Sequence, residues 1–378
     1  MRRDVTVFRE EGVFAAWPAG GFCRSWGSEI LVSFTTAVHQ DKPRGHTFDR
    51  ESKTGVTLAR SLDGGLTWSS ENSPIADPAP GNGRHPEMLK DFEGRIDFTD
   101  GDLVLCFAMS GTRNDDFSWW FYSPDRGHSW NGPFRIPQME GFSASLNMRT
   151  QYIVENSDEI LVFGTCQRSN GTEGRTFCAR MSQGGRKMEF LSFVGDELPV
   201  TDECYEIMPQ ARRRKDGSIV CITRRFDSRN RFHYFTLCQY ISRDNGRSFE
   251  FDRYAAEHYG GNPGSLEILG DGTWVLVYGY RRRPYGIRLR YSEDEGRNWS
   301  REIILRDDGG CGDLGYPRSA LRADGSEIVC YYFNYGRNDM RHIQASVFDS
   351  AFLREAAGAG GDAVPVIQFA GITPKEII

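Results

Sequence analysis

Tyrosine, arginine, histidine and carboxylate residues recur beside prolines and at the ends of short apolar runs. Tyr316, in Asp313-Leu314-Gly315-Tyr316-Pro317-Arg318-Ser319, offers a phenol that could donate a proton or attack an electrophile. Glu206, Asp41 and Asp49 offer carboxylates for acid–base work. His39, His46 and His85 offer imidazoles that titrate near neutrality. Arg84, Arg149, Arg168, Arg224, Arg283 and Arg318 carry planar forks suited to carboxylate, sulfate or phosphate. Trp17 and several tyrosines provide flat faces for a sugar ring, and Asn262 adds an amide. In Arg281-Arg282-Arg283 not all three can face one way, because neighbours in an extended segment alternate. Gathered in one place, these residues imply a small anionic sugar as ligand.

Repeats show how they could be gathered. The pattern S-x-D-x-G-x-[S/T/N]-[W/F] occurs at Ser61–Trp68, Ser123–Trp130, Ser242–Phe249 and Ser292–Trp299, with a degenerate copy at Ser182–Met188. The steps are roughly 50–60 residues, the range of propellers and arrays. The Asp can accept backbone N–H bonds across a turn, the Gly supplies a positive φ, and the aromatic residue packs beneath. The role of these turns is structural.

A second pattern, a polar turn followed by an apolar strand, recurs at Gly27–Glu29, Asp100–Asp102, Ser157–Glu159, Asp216–Ser218, Asp271–Thr273 and Asp324–Ser326. Each reads as the first hairpin of a blade, so six turns imply six blades. Upstream of five of them lies X-Pro: Trp17-Pro18, His85-Pro86, Met208-Pro209, Asn262-Pro263 and Tyr316-Pro317. Blade three has Arg149-Thr150-Gln151 there. Proline suits the start of a strand. The last blade is a strand short, and Val5-Thr6-Val7-Phe8 is expected to complete it. The sequence thus predicts an all-β, six-bladed propeller of four-stranded antiparallel blades over 1–350, closed by the N-terminal strand, with a loosely packed extension over 351–378. Starts of first strands and ends of second strands share one face, which collects the residues named above.

Composition sets bounds. In 378 residues, 39% hydrophobic and 13% aromatic content is ample for a core, and a formal charge of −6 argues against nucleic-acid binding. No apolar run is long enough to span a membrane, and the N-terminus lacks a leader's apolar stretch. Nine cysteines, odd in number and scattered through strand-like runs, read as buried thiols in a reducing, cytoplasmic setting. No motif has metal-ligand spacing and no cofactor is expected, although Asp115-Asp116 and Asp307-Asp308 could hold structural calcium.

The octapeptide repeats are Asp-boxes, and over nearly its whole length the chain resembles the sialidase superfamily, in particular its BNR-repeat branch. That resemblance implies a tyrosine nucleophile activated by a Glu, an Asp acid/base from blade one and three arginines on the substrate carboxylate. Tyr316 falls at the tyrosine's place and Arg224 at the second arginine's. Arg283 matches the third. Glu206 stands for the Glu, about two residues further from its turn than expected. Asp41 or Asp49 stands for the acid. Where the family has Arg-Ile-Pro this chain has Ala16-Trp17-Pro18, so the first arginine is missing and Arg84 or Arg149 would have to replace it.

Three readings remain open: an exo-acting glycoside hydrolase of sialidase type using Tyr316 and Glu206; a lyase or hydrolase of uronic-acid glycans with His85 or His46 as base and Tyr316 as acid; and a non-catalytic glycan-binding propeller.

Overall fold

The second strand of each blade is apolar on both faces, and this one feature builds the molecule. In the computed structural model, which describes residues 2–52, 54–73, 77–79, 83–114, 116–230 and 234–358, six antiparallel sheets form a ring. Side chains alternate along each second strand. Val104 and Cys106 pack towards blade one, Leu105 and Phe107 towards blade three. Val275 and Val277 meet blade six while Trp274, Leu276 and Tyr278 meet blade four. Each of the six seams holds its own apolar cluster, and the seam between blades six and one joins Phe14, Ile30 and Val32 to Ile328, Cys330 and Tyr332. A ring of mutually buried sheets leaves few open edges.

The N-terminal strand Arg2–Phe8 pairs with His342–Phe348 and closes blade six, as expected. Five blades follow the four-strand path. The inner strands depart from regularity where the X-Pro pattern lies. In blade one the inner strand is split into Val13–Ala16 and Cys23–Trp26 by a 3-10 turn, Pro18–Gly20. Blade three is split likewise, into Leu146–Asn147 and Tyr152–Val154. In blades four and six the pairing register slips between Ile207 and Gln210 and between Gly315 and Arg318. Trp17, Met208 and Tyr316, each before a proline, are left-handed at φ 61°, 57° and 48°. Proline removes a ladder donor and crowds the residue before it, so the strand breaks there and the preceding side chain is re-aimed.

Blade two differs from the expectation. It has three strands, Val104–Met109, Ser118–Ser123 and Asn131–Arg135. His85-Pro86 does not begin an inner strand; Pro86–Met88 is a 3-10 turn on an exposed stretch. The surrounding residues are polar without period-2 alternation, so nothing drives them into a sheet.

The octapeptide turns share two hydrogen bonds, from the glycine N–H to the serine hydroxyl and from the N–H four residues after the Asp to its carboxylate; the first turn adds a third, from Leu66. Asp63 Oδ1 accepts from the N–H groups of Leu66 and Thr67 at 3.0 and 2.9 Å, and Ser61 Oγ accepts from Gly65 N at 2.8 Å. The closing glycines, Gly65, Gly127, Gly246 and Gly296, have φ between 77° and 90°, which a Cβ would strain. All nine cysteines are buried free thiols. The segment expected to be a loose extension begins as a helix, Ser350–Gly358, whose Leu353 is buried against the seam of blades five and six. Residues 359–378 lie outside the described residues. No described helix is long and apolar enough to cross a membrane.

Candidate active site

One face of the ring carries two hydrogen-bonded clusters drawn from blades one, four, five and six and joined by a contact between a guanidinium and a tyrosine ring. At the centre of the first is Asp313, 8% exposed. Its Oδ1 accepts from His46 Nδ1 at 2.7 Å and from the Tyr332 hydroxyl at 2.9 Å, and its Oδ2 accepts from Arg341 Nε at 2.9 Å. Burial alone would raise this carboxyl's pKa, but His46, Arg341 and Arg281 outweigh it and hold the group well below the usual carboxylate range. An ionised Asp313 only accepts, so His46 Nδ1 carries the proton of this hydrogen bond and Nε2 is the ring nitrogen not engaged by Asp313. The imidazole stays about one-third open to solvent, 34% against 7% for Asp313. Trp17 meets it edge-on at 4.9 Å, and Phe14 and Phe48 complete an aromatic wall.

This cluster continues through Tyr332, whose hydroxyl accepts from Arg281 Nη2 at 2.8 Å. The Arg281 guanidinium lies 5.5 Å from the centre of the Tyr316 ring. On its other side Tyr316 Oη accepts from Arg224 Nη1 at 3.2 Å, and Arg224 Nη2 donates to Tyr205 Oη at 3.1 Å. Tyr316 therefore sits between two guanidiniums, and its own proton is left free to point elsewhere. Local sequence explains the reach: Tyr316 begins the inner strand of blade six, while Arg224 and Arg281 end or follow the second strands of blades four and five.

Among the residues expected here, Tyr316, Arg224, Trp17 and His46 come together. The others lie elsewhere or are otherwise engaged. Glu206 is 3% exposed; its oxygens accept from Thr223 Oγ1 and, at 2.8 Å, from Arg225 Nη2. Glu206 pairs with Arg225 across the sheet and Ile207 with Arg224, so the carboxylate leaves the strand on the face opposite the Arg224 side chain. Asp49 Oδ1 caps its own turn through Glu51 N, and Asp41 is an exposed partner of His39. His85 is exposed beside Glu87.

Arg84 pairs with Asp116 at 2.9 Å. Arg149 is engaged by Glu173, with Nη2 donating to Oε2 at 3.0 Å, and lines a small recess with Met208 and Gln210. Arg168 donates to the carbonyls of Pro199 and Thr201, each at 2.9 Å. Arg318 is sealed on the axis, donating to Gln210 Oε1 at 3.3 Å; burial and the neighbouring Arg212 push its pKa down to about 10. Arg283 is exposed over Tyr285. Its expected place beside Tyr316 is taken by Arg281, which alternation in the three-arginine tract allowed but did not select. Asn262 is fully buried.

Sequence reasoning missed Asp313, Tyr332 and Arg341, and within the three-arginine tract it chose Arg283 over Arg281. Asp313 had a signal in its nearness to Tyr316 along the chain. Tyr332 lies in the middle of a fully buried strand, Glu327–Phe333, where nothing in the sequence marks its hydroxyl. Among the described residues no group of three or more His, Cys, Asp or Glu side chains could hold a metal. Of the acidic loops considered for calcium, Asp308 is paired with Arg306 at 2.6 Å, and Asp115 lies outside the described residues.

The chain matches the BNR repeat-like domain over residues 44–329. No curated protein matches it. Among solved structures it is similar to a protein of unknown function from Dyadobacter fermentans, at 23% identity and TM-score 0.69, covering 92% of this chain and 98% of that one. A Hadza microbial sialidase follows at 14% identity and TM-score 0.62, covering 90% of this chain and 66% of that one, so this chain spans just under two thirds of the sialidase's length. An ulvan lyase bound to -[GlcA(1-4)Rha3S]- aligns at 10% identity and TM-score 0.50, covering 94% and 99%. At such identities the likeness speaks to the fold.

Proposed function

The chain belongs to the BNR repeat-like domain family, and from that premise we propose that it is a carbohydrate-active enzyme that cleaves a glycan at an acidic sugar, by elimination from a uronate. One observation carries this reading. The hydrogen bond to the Tyr316 hydroxyl comes from an arginine, whereas the imidazole of His46 is the group backed by a buried carboxylate. A tyrosine nucleophile needs a base at its hydroxyl, and the nearest candidate by sequence, Glu206, has its oxygens committed to Thr223 and Arg225.

In this reading Arg224 and Arg281 hold the uronate carboxylate beside Tyr316 and offset its charge, which acidifies the adjacent C5–H. His46 Nε2 removes that proton, with Asp313 fixing the tautomer and stabilising the imidazolium. The C–H electron pair becomes the C4=C5 double bond, the C4–O bond breaks, and Tyr316 gives its proton to the departing oxygen. Trp17 supplies an apolar face to a sugar ring. The sialidase and the uronate-bound lyase among the similar structures are both built on rings of this kind, which supports a glycan as substrate; the acidic sugar is inferred from Arg224 and Arg281.

The test is a product screen over uronic-acid polysaccharides, sulfated glycans and sialosides, read by mass and near-ultraviolet absorbance. An unsaturated uronate product from wild type, lost with His46→Ala and formed only at a strongly reduced, still measurable rate with Tyr316→Phe, is expected. Release of a saturated acidic sugar would replace elimination by hydrolysis. Binding without turnover across all classes would leave a glycan-binding propeller.

A further inference from the structure

We infer that Asn262 is a positioning residue that sets the placement of Tyr316, an inference that rests on the reading of Tyr316 as a reacting group. Asn262 is 0% exposed, so no glycan reaches it. Both hydrogen bonds of its side chain go to the segment that carries the tyrosine: Oδ1 accepts from Tyr316 N at 2.7 Å and Nδ2 donates to Leu314 O at 3.0 Å. An amide is needed for this, since one end must accept and the other donate.

The amide is wedged between two bare stretches of backbone. A Cβ on Gly315 would come within 2.5 Å of Asn262 Oδ1, and one on Gly279 within 2.8 Å of Asn262 Cγ. The Tyr259 hydroxyl donates to the Asn262 carbonyl at 2.9 Å, and Arg281 Nε adds a second bond to Leu314 O at 3.2 Å. What this brace holds is costly. Tyr316 is left-handed at φ 48°, a conformation that costs a non-glycine residue on the order of 1–3 kcal/mol and persists only where the surroundings impose it. With the brace in place, the Tyr316 hydroxyl lies 3.2 Å from Arg224 and its ring beside Arg281. Without it, the strand start is free to relax and the phenol leaves both arginines.

The experiment uses the full chain with ¹³C-labelled tyrosine rings. The Tyr316 resonance is the one lost in Tyr316→Phe. Asn262→Ala is expected to move it while leaving that of Tyr331, on the far seam of blade six, in place. Gly279→Ala, which pushes the amide from the other side, is expected to move the same resonance and serves if Asn262→Ala does not fold. On a substrate found by the product screen, Asn262→Ala is expected to lower kcat about 100-fold with KM within about threefold. The Asn262→Ala/Tyr316→Phe double variant is expected to be no slower than Tyr316→Phe alone. An unmoved Tyr316 resonance in every folded variant, or additive losses in the double variant, overturns the inference. If wild type turns over none of the acidic glycans, the functional reading fails and the resonance alone decides the role of Asn262.

Discussion

His46, from the loop after the second strand of blade one, hydrogen-bonds at 2.7 Å to Asp313 of blade six, 267 positions later in the chain. The contact crosses the seam where the N-terminal strand closes the ring, so an imidazole–carboxylate pair exists only once the ring has closed. Replacing His46 by Ala is expected to abolish turnover. Asp313→Asn keeps the shape but loses the charge and tautomer control, and is expected to lower kcat by about 10³-fold or more. Steady-state kinetics over a pH series checks both; an Asp313→Asn enzyme with an unchanged profile would remove the dyad from the mechanism.

Glu206 and Arg225 form a buried pair at 2.8 Å. Removing one partner of such a pair strands the other charge, at a cost of about 3–5 kcal/mol. Glu206→Gln is therefore expected to lower the denaturation midpoint strongly while kcat of the folded protein stays within a few-fold. The reverse pattern, stability kept and turnover lost, would restore Glu206 as the partner of Tyr316.

Arg281 and Arg283 are two residues apart but differ in surroundings: Arg281 bonds Tyr332 and lies over Tyr316, whereas Arg283 is exposed. Arg281→Ala is expected to cost about 100-fold or more in kcat/KM and Arg283→Ala no more than about threefold. Comparable losses from the two would mean that the blade-five loop rearranges when substrate binds.

Glu327 is 0% exposed, with the Ser319 hydroxyl and the Glu267 carboxylate beside it. Burial, with Glu267 adding to it, raises its pKa well above the usual 4.5. A carboxyl whose folded-state pKa is raised contributes stability that is complete below the unfolded-state value and is lost as pH climbs towards the folded one. Glu327→Gln cannot ionise in the unfolded chain. It is expected to be more stable than wild type at neutral pH, by about 1 kcal/mol or more, with the difference growing from about pH 5 to 8. Urea denaturation at several pH values checks this; a stability gap that shrinks with rising pH would refute it.

Much of the ring was legible because its causes are local or periodic. The Ser61–Trp68 type of turn is held by bonds within eight residues, and a second strand such as Val104–Met109 announces itself by being apolar on both faces. Blade two shows the limit: His85-Pro86 has the dipeptide of a strand start but no apolar alternation after it, and no inner strand begins there.

The site divides in the same way. The chain order of turns and strands by itself determined that Tyr316, Arg224 and the loop carrying His46 would share a face, since strand direction in a closed ring sorts the loops. Which polar groups on that face remain open to a ligand was decided only by tertiary packing. Arg149 and Glu206 read as site residues until folding set Glu173 and Arg225 against them, and Asp313 gained its part only when the ring brought His46 to it. Arg149–Glu173 and Glu206–Arg225 each join strands of one blade and depend on its register, whereas His46 and Asp313, 267 positions apart, leave no spacing in the sequence; their pairing follows from where separately specified sheets come to rest.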